Sequence, residues 1–222
     1  MARSGSLIDE IKRDLDPVER EIRGHAYLAE LEAGRVPREK LRLFAGEQYH
    51  IIRSDLRSVA LLVNRFGATE SGPFFQAVLA GEAAALEALK AFALALGMDE
   101  ALLRTYDPAP GAQAYPAFMA WLALYGSDAE VAAAFVVNFA AWGEGCGRMG
   151  RALRSGYGLT MEQLAFFDLF ASPPAEFEAG ALAVVEAGLA RGADPRLIKR
   201  AARLLQGYEK LYWDTLLEIS RR

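Results

Sequence analysis

Apolar residues recur at intervals of three and four along almost the whole chain of 222 residues. This spacing places them on one face of an α-helix. Runs of alternating β-branched residues bounded by a hairpin dipeptide, which would indicate β-strands, are not found in the sequence. The pattern predicts an all-α bundle of seven to eight helices whose ends are marked by glycine and proline.

The ends of the helices follow from these markers. The first helix is predicted over about 6–33, with a bend near Asp16–Pro17 because proline disfavours helical geometry in the residue before it. The second begins with Pro37 in its first turn and reaches Gly67. Five further long helices are predicted at 72–96, 114–126, 127–158, 175–191 and 194–220. Two short helical segments are predicted at 98–106 and 160–170, with a loop at 107–111. No linker is long enough to separate domains, so residues 1–222 are predicted to form a single domain.

Composition and charge restrict the partners. The chain is 53% hydrophobic and carries a net charge of -4, whereas nucleic acids and anionic membranes call for a basic face. A single cysteine, Cys146, cannot form an internal disulfide, and the N-terminal segment is charged at once instead of opening an apolar signal region. No apolar stretch reaches the length of a membrane-spanning helix. We therefore expect a cytoplasmic protein whose main partner is neither a nucleic acid nor a membrane.

The segment FAGEQYHIIRSDL carries much ionisable chemistry for a helix in an apolar chain. Glu47 and His50 are three residues apart, so their side chains lie on the same helical turn and could share one ligand. Glu-x-x-His is also the spacing of di-iron carboxylate bundles, but such sites need a second copy of the motif, and His25 is the only other histidine. A histidine bonded to a nearby carboxylate is the simpler interpretation.

Polar residues also interrupt the inward side of the same helix. Gln48 and Asp55 stand among apolar residues at helical spacing. A buried carboxylate persists only when it is paired or when it lines a wet cavity. The sequence therefore predicts either a ligand pocket or a structural hydrogen-bond network at this helix.

The segment NFAAWGEGCGRMG holds Trp142, Glu144 and Cys146 among four glycines. Glycine inside a helix costs about 0.5–1 kcal/mol relative to alanine, so this density indicates close helix packing or room for a ligand beside Glu144. Cys146 as a nucleophile would need a base within reach, and a buried inert thiol is the commoner case.

Two further segments contain candidate pocket residues. In YEKLYWDTLLEI, Trp213 is expected in the core, while Glu209 or Asp214 faces either a pocket or a surface salt bridge. Tyr208 belongs to the same segment. Glu82 stands among alanines in LAGEAAALEALK, where simple exposure is the alternative to a pocket position.

The order of these segments resembles that of the TenA (thiaminase II) and PqqC families. HAYLAELEAGRVPREKLRLFAGEQYH is similar to their opening, and the helix with Glu82, the aromatic-rich helix, FFDLFASPPAEF and YEKLYW follow in matching order over almost the whole chain. The resemblance implies a haem-oxygenase-like fold, a helical bundle with a central pocket for a small molecule. It also implies a homo-oligomer, a dimer or tetramer.

The resemblance implies a set of site residues. We predict Glu47, His50 and Glu144 as catalytic acid, base or orienting groups. The predicted substrate-binding residues are Tyr49, Trp142, Asp214 and Tyr208.

The sequence departs from the families at several positions. Gln48 stands where a thiaminase-like enzyme has aspartate, Ala140 where it has cysteine, and Phe170 where it has tyrosine. The histidines of the di-iron relatives fall on Leu89 and on the segment 170–179. Neither thiamin hydrolysis nor a di-iron site is therefore expected.

Three functional hypotheses remain. The first is a TenA/PqqC-like enzyme that acts without a metal cofactor on a small aromatic or heterocyclic compound. The second is an iron-dependent oxidase with a reduced ligand set drawn from Glu47, His50, Glu82 and Glu144. The third is a non-catalytic protein that binds or senses a small molecule.

Overall fold

The computed structural model describes the backbone of residues 2–222 and the side chains from Ser4 onward. These residues form ten α-helices and no strand, which confirms the all-α prediction. The helices are α1 Ala2–Arg23, α2 Ala26–Glu32, α3 Leu41–Phe66, α4 Gly72–Ala95, α5 Glu100–Thr105, α6 Pro110–Tyr125, α7 Asp128–Tyr157, α8 Ala165–Ala171, α9 Ala175–Ala190 and α10 Pro195–Arg221. Short 3-10 turns, Arg38–Lys40 and Glu162–Leu164, precede α3 and α8.

The first predicted helix is wrong in one respect, because two helices occupy its range. Pro17 is exposed and lies inside α1 without ending it. The chain instead leaves the helix at Gly24, and His25 adopts an extended backbone with φ -60° and ψ 139°. The His25 ring then accepts a hydrogen bond from the backbone N–H of Tyr27 at 3.2 Å, which caps the start of α2.

The predicted loop at 107–111 is shorter than expected. Helix α6 begins at Pro110, where the fixed φ of proline suits the first helical turn. The ring also removes an N–H group that would have no partner there. The connection from α5 to α6 therefore comprises only four residues, Tyr106 to Ala109.

Helix α7 is the central element. Every residue from Asp128 to Asn138 is buried, as expected for a helix that is apolar on all sides. Ser127 caps it in a reciprocal arrangement with Glu130, and Gly158, with φ +69°, ends it in the left-handed conformation. Helices α1, α2, α8, α9 and α10 pack against α7, while α3 packs against α4 and α6.

Two clusters of buried apolar side chains make up the core of the described residues. Phe44 and Phe92 belong to the first cluster, and Phe75 and Ile198 to the second. Residues of both clusters, among them Trp142 of the first and Phe135 of the second, line a small cavity inside the bundle.

Candidate active site

The cavity has a volume of about 50 Å³. Six helices contribute to it: α3, α4, α6, α7, α8 and α10. Its lining residues are Gln48, Ile51, Ile52, Asp55, Glu82, Tyr115, Phe135, Asn138, Phe139, Trp142, Phe170, Glu209 and Tyr212. The cavity thus combines three carboxyl groups with walls made mainly of aromatic rings.

Glu209 on α10 is held by two donors. The indole N–H of Trp213 donates to Oε1 at 3.2 Å, and the side-chain amide of Asn138 on α7 donates to Oε2. These bonds lower the pKa of the carboxyl group, but burial raises it more, to about 8. Glu209 is therefore largely protonated at neutral pH and can donate a proton.

Asn138 connects Glu209 to the opposite side of the cavity. Its Oδ1 accepts a hydrogen bond from the hydroxyl of Tyr115 at 3.2 Å, and its amide also lies 3.2 Å from Oε1 of Gln206. Burial raises the pKa of Tyr115 well above its ordinary value, so this phenol stays protonated. The charges of Asp55, Glu209 and Glu82 raise it further, which means that all three carboxyl groups lie near the same hydroxyl.

Asp55 on α3 and Glu82 on α4 form the second part of the polar lining. Burial raises the pKa of Glu82 to about 7. Burial and the charge of Glu82 hold the pKa of Asp55 well above its ordinary value. Oδ1 of Asp55 is buried and has no hydrogen-bond partner among the described residues. Because an unpaired buried carboxylate is costly, this oxygen is suited to bind a ligand.

Aromatic rings form the rest of the wall. Trp142 lies edge-on to Phe170 at 5.8 Å and to Tyr212 at 6.0 Å, and tilted against Trp213 at 5.6 Å, all between ring centroids. Rings held in this way offer faces and edges against which a flat ligand can pack. The prediction that Trp142 lies at the pocket agrees with its position in this wall.

The predicted catalytic residue Glu47 lies elsewhere. Its side chain is fully buried, but Oε1 accepts hydrogen bonds from the hydroxyl of Tyr106 and from the backbone N–H of Ala109, both at 2.9 Å. It therefore holds the connection between α5 and α6 and does not line the cavity. Burial raises its pKa despite these two bonds.

His50 and Tyr49 do not line the cavity either. The His50 ring stacks on Tyr106, with 6.3 Å between centroids, and lies edge-on to Tyr49 at 5.5 Å. The hydroxyl of Tyr49 is 3.5 Å from the guanidinium of Arg53. These two residues belong to the surroundings of Glu47 and not to the cavity.

The other predicted site residues lie at or near the surface. Glu144 pairs with Arg23 and has an exposed side-chain fraction of 46%. Asp214 bonds His25 at 3.1 Å and Lys210 at 2.8 Å. Tyr208 packs on Phe118, with 5.3 Å between ring centroids. Of the seven predicted site residues, only Trp142 lines the cavity.

The glycines and the cysteine of α7 have structural explanations. A Cβ atom on Gly143 would lie 2.6 Å from the carbonyl oxygen of Phe170, and one on Gly145 would lie 3.3 Å from the Trp213 ring. Close packing against α8 and α10 therefore requires small residues here. Cys146 is fully buried, and burial raises the pKa of its thiol well above the ordinary value, which keeps the thiol unreactive.

The side chains do not fit an iron site of the kind that the resemblance implies for some relatives. Nowhere from Ser4 onward do three His, Cys, Asp or Glu side chains come together to hold one metal ion. Of the ligands of the iron alternative, Glu47 and His50 lie beside Tyr106, Glu82 lines the cavity and Glu144 pairs with Arg23 near the surface. Both histidines have other contacts, His25 at the start of α2 and His50 on Tyr106, so imidazole ligands are missing at the cavity.

Sequence reasoning missed Asn138 and Tyr115, and it left Glu209 as one of two alternatives. Asn138 is the one polar residue in the apolar run from Val131 to Trp142, which is a usable signal for a buried hydrogen-bond network. Tyr115 carries no such signal, because tyrosine is common on half-buried helix faces.

Solved structures with the same fold identify the class of protein. A TenA homologue from P. horikoshii OT3 is 16% identical and superposes with a TM-score of 0.75 over 96% of this chain and 98% of that chain. A domain of unknown function with a haem-oxygenase-like fold from Shewanella denitrificans is 14% identical, with a TM-score of 0.76 over 96% and 91% of the two chains. A TenA-like thiaminase candidate from Sulfolobus solfataricus is 11% identical, with a TM-score of 0.66 over 96% of each chain. The bundle therefore has the haem-oxygenase-like fold.

The sequence identifies the family within that class. Residues 12–172 match the model of the TENA/THI-4/PQQC family, and the chain belongs to this family. No curated protein sequence matches the chain.

Among residues 2–222, no helix combines the length and apolarity needed to cross a membrane. The cytoplasmic location and the homo-oligomer stay predictions.

Proposed function

We propose that the protein is a TenA/PqqC-like enzyme that transforms a small aromatic or heterocyclic compound by acid–base chemistry, without a metal cofactor. The observation that carries the proposal is the meeting of Asp55, Glu82 and Glu209 in one aromatic-walled cavity. Membership of the TENA/THI-4/PQQC family supports an enzyme of this general kind.

The three carboxyl groups suit proton transfer at neutral pH. An efficient general acid or base has a pKa near the working pH, and the pKa values of Glu82 and Glu209 are raised to about 7 and about 8. In our proposal Glu209 acts as the acid, oriented by Asn138 and Trp213. The Asp55 and Glu82 pair accepts a proton on the other side of the reacting group.

The cavity lining argues for a reaction other than thiamin hydrolysis. Gln48 and Phe170 both line the cavity, at positions where the resemblance to thiaminase-like enzymes implies aspartate and tyrosine. An amide and a plain phenyl ring can bind or pack against a substrate, but neither transfers a proton. We therefore assign proton transfer to the carboxyl groups of Asp55, Glu82 and Glu209.

The proposal is tested by measuring turnover of a panel of aminopyrimidines, thiamin and aromatic metabolites by mass spectrometry. Asp55→Asn and Glu209→Gln should each lower turnover about 100- to 10,000-fold, the usual contribution of a general acid or base. Glu144→Gln, which removes an exposed carboxylate 46% accessible to solvent, is the matched control and should keep full activity. Full activity of both cavity variants would refute the proposal. Tight binding without turnover would favour the third hypothesis, a binding or sensing protein.

A further inference from the structure

A second and larger space adjoins the cavity, and we call it the outer groove. It has a volume of about 540 Å³ and lies between α4, α8 and α9. Most of its wall is apolar, including Phe74, Ala77, Val78, Pro174, Phe177 and Ala183. Three side chains, those of Glu82, Phe139 and Phe170, line both spaces and therefore stand where the groove and the cavity meet.

The two volumes indicate a ligand with a small part in the cavity and a larger part in the outer groove. Binding sites for small molecules usually measure about 300–1,000 Å³, far more than the 50 Å³ of the inner cavity. The cavity alone holds little more than the reacting group of a substrate. The outer groove beyond Phe139 and Phe170 is the adjacent space that could hold the rest of the molecule.

The charges of the lining residues indicate the charge of the polar group that the ligand carries. Among the described residues that line the two spaces, the charged ones are all acidic: Asp55, Glu70, Glu82, Glu176 and Glu209, with no Lys, Arg or His. Glu70 at the rim is 4.0 Å from Arg191, but Asp55 is buried and its Oδ1 has no partner among the described residues. A cationic group would pair with this oxygen, whereas a carboxylate would be repelled.

We infer that the cavity and the outer groove together bind a cationic amphiphile, with a protonated amine at the Asp55 and Glu82 pair and an aliphatic or arylalkyl tail in the outer groove. This inference rests on the proposed function, because it takes the cavity as the place where the substrate reacts. It adds the substrate class: an amine with an extended apolar part.

The inference is tested by calorimetric titration with three series of linear compounds, namely alkylamines, alkanols and alkanoates, from four-carbon to ten-carbon chains, all below micelle formation. Amines should bind tighter with each added methylene, about fourfold per group, as expected for burial in an apolar groove. At equal length, amines should bind about ten- to a hundredfold tighter than alkanols, the effect of one hydrogen bond to a charged group. Alkanoates should bind weakest.

Variants that fill the groove test its role in binding separately from that of the cavity. Gly81 lines the groove on α4, and a Cβ atom there meets nothing within 4 Å, so Gly81→Phe places a ring in open space. Gly207→Phe is the matched control, because Gly207 on α10 is also helical, also has nothing within 4 Å and lines neither space. Gly81→Phe should abolish the gain with chain length while leaving butylamine binding unchanged, and Gly207→Phe should behave as wild type. Ala77→Phe, one helical turn earlier, is a second filling variant.

Three results would overturn the inference. They are equal affinity for amines and alkanols, affinity that does not depend on chain length, and the same chain-length gain in Gly81→Phe and Gly207→Phe. A change of molecular mass in Gly81→Phe, measured by light scattering, would instead assign the groove to a second copy of the chain and overturn it as well. Failure of the proposed function is distinguishable: long amines would bind as described, yet no compound would turn over.

Discussion

Asp55 on α3 and Glu82 on α4 line the same cavity, and the charge of Glu82 raises the pKa of Asp55. Two carboxyl groups in one site lose their protons in sequence, because the first negative charge disfavours the second. With the pKa of Glu82 near 7, the pair still holds a proton close to neutral pH. In the proposed function, this pair of carboxyl groups is the base that accepts a proton from the substrate.

The first prediction concerns this pair. Glu82→Gln removes the charge but keeps the size of the side chain, so the pKa of Asp55 should fall while burial still holds it above the ordinary value. Carbon-13 NMR of the aspartate carboxyl groups would follow the titration. An unchanged titration of Asp55 in the variant would contradict the coupling.

The second prediction concerns Glu209 and the pH dependence of stability. Its pKa is about 8 in the folded protein and near 4.5 when unfolded, so the folded state binds the extra proton between these values. The contribution of Glu209 to the free energy of unfolding is complete below about pH 4.5 and falls as pH rises toward 8, by roughly 1 kcal/mol per pH unit. Glu209→Gln should flatten that decline.

Urea unfolding at three pH values across this window measures the difference. Glu144→Gln makes the same carboxyl-to-amide change at an exposed position, so it should keep the wild-type slope. An equal slope in Glu209→Gln and wild type would show that Glu209 is not a protonated group of the folded state.

The third prediction concerns Glu47, which the sequence marked as catalytic. Glu47→Ala leaves the Tyr106 hydroxyl and the Ala109 N–H without their acceptor, at a cost of about 0.5–1.5 kcal/mol for each of these part-buried hydrogen bonds. Glu47→Gln keeps an acceptor oxygen, so both stability and turnover should stay close to wild type. Thermal unfolding measures the stability of both variants, and the turnover assay measures their activity. A loss of turnover of about 100-fold in a stably folded Glu47→Gln variant would show that Glu47 is catalytic.

The fourth prediction compares two glycines. A Cβ atom on Gly46 of α3 would lie 2.5 Å from the Tyr106 ring, so Gly46→Ala should displace that ring and cost roughly 1–3 kcal/mol. The same change at Gly207 on α10 meets nothing within 4 Å and should stabilise the helix by about 0.5–1 kcal/mol. The free energies of unfolding should therefore move in opposite directions. Stabilisation by both changes would mean that Tyr106 does not pack on α3.

The helices could be predicted from the sequence because their signals are local. Spacing, proline and glycine predicted both ends of α4 and α7 and the end of α3 to within one residue, since each depends on interactions within one or two turns. The start of α3 was predicted at Pro37, but a 3-10 turn occupies 38–40 and the helix begins at Leu41. The break after α1 was missed because it depends on His25, whose ring bonds the backbone of Tyr27. Nothing in the spacing of apolar residues reports such a cap.

The sequence predicted that buried polar residues form a site, but not which side chains come together in it. Spacing correctly placed Glu47 on the buried side of α3, but its partners come from residues some sixty positions away, Tyr106 and Ala109. Glu144 stands beside Trp142 on α7, yet the rotation of that helix turns Glu144 toward Arg23 and Trp142 toward the cavity. Side chains two positions apart on a helix do not face the same way.

The sequence by itself determined the all-α fold, the family and the presence of carboxyl groups on buried helix faces, because these depend on local periodicity and on the order of segments. Tertiary structure alone decided which carboxyl groups meet. The crossing of α3, α4, α7 and α10 brings Asp55, Glu82 and Glu209 around Tyr115 and Asn138, and burial there raises their pKa values. The physical reason is that burial and charge coupling depend on distances between helices, which no single helix encodes.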